Sequence, residues 1–127
     1  MTCCAIILPQ KRHTEMRMKM DYLYLAIAII AEVIATSSLK ASEEFTKIIP
    51  SALVVIGYGV AFYSLSVVLK TIPIGIAYAI WAGLGIVLIT ISGMILFNQT
   101  PDAPAILGMS LIILGVVIIH LYSDMQT

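Results

Sequence analysis

Charge is scarce in this sequence, and almost all of it lies outside the long apolar runs. Of 127 residues, 61% are hydrophobic and 11% are charged. A soluble domain carries about 45–50% apolar and about 25% charged residues. With a mean hydropathy of +1.06, the chain lacks the polar surface needed to cover itself in water, so its expected solvent is a bilayer. The formal net charge is zero, which removes the electrostatic footprint of a nucleic-acid partner. Cysteine is nearly absent too, with only the adjacent pair Cys3 and Cys4. Vicinal cysteines seldom bridge, and no His or Cys lies at metal-ligand spacing. No metal or other cofactor is implied, and the redox compartment stays undecided. Strand-like alternation is missing from the apolar runs, which argues against a β-barrel. No internal repeat or low-complexity segment stands out.

What is present is a succession of four runs, Tyr22–Leu39, Ile48–Leu69, Ile72–Phe97 and Ala103–Tyr122. Each has the length of about 20 predominantly apolar residues that a membrane-spanning helix needs. The breaks are short and carry loop chemistry: "KASEEFTK" (Lys40–Lys47), "KTIP" (Lys70–Pro73) and "NQTPDAP" (Asn98–Pro104). The expected fold is all-α, with four transmembrane helices over residues 20–127 and no soluble domain. Residues 1–19 have an apolar patch followed by basic residues, the reverse of a secretory signal. They are expected to stand outside the fold, either disordered or not translated because initiation falls at or near Met20. The alternative is a cytoplasmic basic arm lying at the lipid headgroups.

Glu32 interrupts the first run. A carboxylate at mid-membrane costs about 2.5–3.5 kcal/mol even on lenient insertion scales, so such residues face a cavity or a partner and mark a pathway. An internal salt bridge is disfavoured, because no Lys or Arg occurs inside any run and His120 sits near the end of the fourth. At helical spacing Leu25, Ala28, Glu32, Thr36 and Leu39 share one face, with Ile29 and Ala35 beside it. Tyr58, Ala61, Phe62 and Leu65 form a stripe on the second helix, and Tyr78 and Trp81 lie one turn apart on the third. Aromatic stripes alone often mean packing. Beside one unpaired acid they suit a lipophilic cation, held by charge and by cation–π contact. A mid-membrane Glu could hold either a proton or an organic cation, but not both. Mutual exclusion at one alternating site is sufficient for antiport.

Gly83 and Gly85 in "WAGLGIVLI" are read either as close-packing points or as a hinge. Gly108 and Gly115 share one face of the fourth helix, where small residues let helices approach closely. Four such helices are too thin a bundle to enclose a bulky cation and gate both ends. Two copies are therefore expected, with helices one to three forming the chamber and helix four the contact. Counted from Met20, Lys40 and Lys47 oppose Lys70 alone, a bias that barely sets orientation. Such a chain could insert both ways and pair antiparallel. Lys11, Arg12, Arg17 and Lys19 would favour one orientation, with the N-terminus inside.

From about Met20 to Ser123 the sequence resembles the small multidrug resistance family of bacterial four-helix exporters. "AEVIATSSLKASEEFT", "PIGIAYAIWAGLGIVLI" and "ILGMSLIILGVVII" carry the resemblance. It implies an antiparallel homodimer in the bacterial inner membrane that exchanges protons for toxic cations, and not an enzyme. It further implies that Glu32 binds proton and substrate, that Tyr22, Tyr58, Tyr78 and Trp81 form an aromatic cage, and that Ala28, Ile29 and Thr36 line it. Gly83 and Gly85 match the family's helix-three kink, and Gly108 with Gly115 its dimer motif. Ala35, where the guanidinium-exporting branch usually has Trp, and "GIAYAIW" favour the quaternary-ammonium branch. Two features depart from the family: Ala35 stands where many broad exporters have Gly, and the basic arm is extra. The competing readings are a guanidinium or polyamine exporter, alone or paired with a sister subunit, and a non-transporting membrane subunit or small cation channel. A channel would need a continuous polar lining, which the spans do not offer.

Overall fold

A computed structural model describes the backbone of residues 7–124 and the side chains from residue 13 onward. Those residues form four helices and no strand: α1 (Ile7–Ala41), α2 (Ile48–Val68), α3 (Ile74–Phe97) and α4 (Ala103–Tyr122). Cys3 and Cys4 lie outside the described residues. All four helices are long and apolar enough to cross a membrane, a 20-residue helix spanning about 30 Å. Their outward faces carry large apolar side chains such as Ile30, Val55, Ile95 and Leu111, each more than half exposed. In water that surface would be untenable, whereas lipid solvates it.

Loop chemistry sets the boundaries. Pro73 stands at the cap of α3, with its fixed φ and missing N–H suited to a helix start. Asn98 ends α3 in the left-handed conformation, with a φ of 52°, which Asn tolerates better than most residues. Asp102 caps α4 by accepting from the Ala105 amide at 3.0 Å.

The first helix departs from the expected Tyr22 start. It is continuous from Ile7, so the part of the N-terminal segment from Ile7 to Lys19 is helical, not disordered. The reason is propensity: Gln10, Lys11, Arg12, Glu15, Met16, Arg17, Met18 and Lys19 are straight-chain helix formers. Pro9 falls in the first turn, where it breaks no hydrogen bond.

Helix α1 is the hub. It packs most closely on α2, less on α3, while α4 packs on α3. The α1–α2 approach is tight because both sides are small: a Cβ on Gly57 would come within 2.8 Å of the Ala35 Cβ and 3.0 Å of the Ala31 carbonyl. A core of Leu25, Ile29, Leu65, Val68, Ile72 and Ala77 fills the space toward the α2–α3 turn. Away from it α2 and α3 make little contact with each other. They leave a groove whose floor is α1.

Candidate functional site

That groove holds a cavity of about 410 Å³. Its floor is Glu32 and Thr36 of α1, one wall is Tyr58 and Phe62 of α2, and the other is Tyr78, Trp81, Ala82, Gly85, Ile86 and Ile89 of α3. Glu32 is half-buried. Its Oε1 accepts from the Thr36 hydroxyl at 3.2 Å, one helical turn away. Its Oε2 accepts from the Trp81 indole N–H at 3.4 Å. Thr36 Oγ1 also lies 2.8 Å from the Tyr58 hydroxyl. Threonine has a single hydroxyl proton and gives it to Glu32, so Tyr58 donates to Thr36. The chain of donors Tyr58 to Thr36 to Glu32 is directed toward a carboxylate.

The aromatic rings form a continuous wall. Tyr58 and Phe62 stack with centroids 6.1 Å apart, Phe62 meets Trp81 at 6.0 Å, and Trp81 meets Tyr78 at 5.6 Å. No cation competes for the acid. The one ion pair among the described residues is Glu43–Lys47, in the α1–α2 connection. Negative charge beside several π-faces is the electrostatic complement of an apolar cation.

The structure brings together Glu32, Thr36, Tyr58, Tyr78 and Trp81, as the sequence led us to expect. It places the other expected lining residues elsewhere within the single chain. Ala28 and Ile29 are buried in helix packing, and neither lines the cavity. Tyr22 lines a separate cavity of about 350 Å³ between α3 and α4, where its ring meets His120 edge-on at 6.5 Å. The two α3 glycines divide in role. A Cβ on Gly83 would meet Val116 of α4 at 2.9 Å, a close-packing point. A Cβ on Gly85 would lie 3.5 Å from Glu32 Oε2, so that glycine keeps space beside the acid. Helix α3 runs unbroken through both.

Phe62 lies on the aromatic stripe that the sequence analysis drew through Tyr58, whereas Ala82, Ile86 and Ile89 were not singled out. The signal was available: Tyr78, Ala82, Gly85 and Ile89 recur at helical spacing on one face.

Four spanning helices, with an aromatic groove over the Glu32 carboxylate, define a small multi-pass membrane protein. Residues 20–112 match the Small Multidrug Resistance protein family, and the chain belongs to that family. It is 59% identical over 102 residues to the quaternary ammonium compound-resistance protein QacE of Escherichia coli, covering 80% of this chain and 93% of the relative. It is 53% identical over 106 residues to the quaternary ammonium compound-resistance protein QacF of Klebsiella aerogenes, covering 84% and 96%. Identity to the multidrug transporter EmrE of Escherichia coli K12 is 52% over 102 residues, covering 80% and 93%. With its four spans, the chain is a multi-pass protein of the bacterial inner membrane.

Proposed function

We propose that this protein is a proton-coupled antiporter that exports lipophilic and quaternary ammonium cations by alternating access, with proton and substrate competing for Glu32. The observation that carries the reading is an acid without a cationic partner, in a 410 Å³ cavity walled by four aromatic rings. Its relatives' names, quaternary ammonium compound-resistance protein and multidrug transporter, point to the same substrate class.

The working unit is an antiparallel homodimer. Two observations support it. The groove between α2 and α3 is open, so a single chain surrounds a substrate on one side only. Helix α4 buries no residue, and a Cβ on Gly108 or Gly115 would meet nothing within 4 Å. That glycine face is free for close approach by a second copy.

The test is efflux of a quaternary ammonium dye from vesicles with an imposed pH gradient, with guanidinium run in parallel. Glu32→Gln should abolish proton-driven efflux, since an amide neither releases a proton nor pairs with a cation. Dye affinity should fall as pH is lowered, and binding at constant pH should release protons. Full efflux by Glu32→Gln, or affinity independent of pH between about 5 and about 9, would overturn the reading.

A further inference from the structure

A second carboxylate, not used by the mechanism above, is buried on the same helix. Asp21 is 5% exposed. It stands eleven residues before Glu32, about 16 Å along α1. Its Oδ2 accepts from the Thr71 hydroxyl at 2.5 Å. Thr71 belongs to the turn between α2 and α3, so this bond ties the start of the α1 span to the point where the walls of the groove are joined.

What lies between the two acids gives the bond its meaning. Leu25 and Ile29 continue the Asp21 stripe of α1 at four-residue spacing, and they pack with Leu65, Val68, Ile72 and Ala77. This layer is apolar and buried. It separates the Glu32 cavity from the end of the bundle where α1 begins, α2 ends and α3 starts. The layer stands between that end and Glu32, and the Asp21–Thr71 bond lies at its outer edge.

We propose that the charge state of Asp21, through its bond to Thr71, sets how firmly the Leu25–Val68–Ile72 layer is sealed. An ionised carboxylate accepts a hydroxyl hydrogen bond roughly twice as strongly as a neutral acceptor does. With Asp21 ionised, the seal is held. With Asp21 protonated the bond weakens, and the α2–α3 turn is freer to leave α1. The direction is therefore opening as pH falls. No cation holds Asp21 in place, since Glu43–Lys47 is the one ion pair among the described residues. The other charged or titratable groups on the surrounding elements are Glu15, Arg17 and Lys19 on its own helix and Lys70 beside Thr71. Helix α1 adds His13, Tyr22 and Tyr24, the last packed against the layer, and α2 adds Tyr58 and Tyr63. From α4 come His120, against the Tyr22 ring, and Asp124 past the helix end; α3 brings none before Tyr78. The use of this device in transport rests on the exporter reading, whereas the bond and its titration do not.

The experiment measures the seal directly. Spin labels are placed by Lys19→Cys and Lys70→Cys, both exposed positions, with Cys3→Ser and Cys4→Ser to remove the native thiols. The labelled chain is diluted with unlabelled protein in lipid vesicles, so that only distances within one chain are read. All measurements are made in the Glu32→Gln background without substrate, which removes the titration on which the exporter reading depends. Lowering pH from about 7 to about 2.5, through the ordinary aspartate value of about 3.9, should shift the distance distribution to longer values. Asp21→Asn should give the longer distribution at every pH. Thr71→Val should do the same, and Thr71→Ser should restore the response. A distance that does not move with pH when Asp21 is present, or a response that survives Asp21→Asn, overturns the proposal. Should Asp21→Asn not fold, Thr71→Val decides: a surviving pH response overturns it, and its loss with recovery in Thr71→Ser supports it.

Discussion

Glu32 has a different donor on each carboxylate oxygen, Thr36 on Oε1 and Trp81 on Oε2. The Thr36 bond is local, one turn along the same helix, and holds the acid's rotamer. The Trp81 bond is long, crosses to α3, and is the one that an arriving cation displaces most readily. Trp81 also offers the largest π-face in the cavity. Trp81→Ala should weaken binding of aromatic and quaternary cations by about two-fold to about thirty-fold, the equivalent of about 0.5–2 kcal/mol of cation–π attraction. Isothermal titration with the purified variant checks this. If protein yield falls while the affinity of the surviving protein is unchanged, Trp81 serves packing and not binding. Gly85, by contrast, acts through what it lacks, since any side chain there would narrow the space beside Glu32.

At the scale of elements, the connection between α1 and α2 carries backbone strain. Glu43, Glu44 and Phe45 take φ values of 49°, 61° and 64°, three consecutive non-glycine residues in the left-handed region. Ser42 compensates: its hydroxyl donates to the Leu39 carbonyl at 2.7 Å and accepts from the Phe45 amide at 3.2 Å. The Thr46 hydroxyl donates to the Glu43 carbonyl at 2.8 Å. The turn thus persists because polar groups at its ends over-determine it. A left-handed L-residue costs about 1–2 kcal/mol, whereas glycine adopts that region freely and loses part of the gain through greater unfolded-state entropy. Glu44→Gly should therefore stabilise the protein by about 1 kcal/mol, read as a higher midpoint of thermal unfolding in detergent. A lower midpoint would mean that residue 44 does not occupy the left-handed conformation. Lys47 pairs with Glu43, not with Glu44, so this substitution removes no ion pair.

At the scale of the whole molecule, the weakly attached element is α4. It packs only on α3 to any extent, and Gly83 against Val116 is its close contact. Gly115→Ile isolates the dimer question. A Cβ at that position would meet nothing within 4 Å in the single chain, and exchanging Gly for Ile in a helix interior favours the helix. The chain itself should fold as before, while the close approach of a second α4 is blocked. Cross-linking in native membranes should show loss of dimer, and efflux should fall with it. Dimer retained in full would place the subunit contact on another helix.

The sequence determined by itself the number and nature of the helices and set one mid-membrane acid apart. Long uninterrupted apolar runs admit one solution in lipid, helices whose backbone bonds are internal. Starts and stops were legible at Pro73, Asn98 and Asp102 because capping and turn chemistry are local. Glu32 was legible because a lone carboxylate in an apolar run is costly wherever the helix packs. The start of α1 was not legible from the apolar run, because helix propensity in the straight-chain residues before it extends the helix back to Ile7. Only the tertiary structure decided which aromatic residues meet the acid. Tyr22 and Tyr58 look alike in sequence, yet one meets His120 and the other reaches Glu32 through Thr36. It also decided that Gly83 packs while Gly85 lines, and that Asp21 is buried against Thr71 fifty positions away. These outcomes depend on how α1, α2 and α3 are rotated about their own axes. That rotation is fixed by small residues in contact between helices, such as Gly57 on Ala35, and no periodicity within one helix records it.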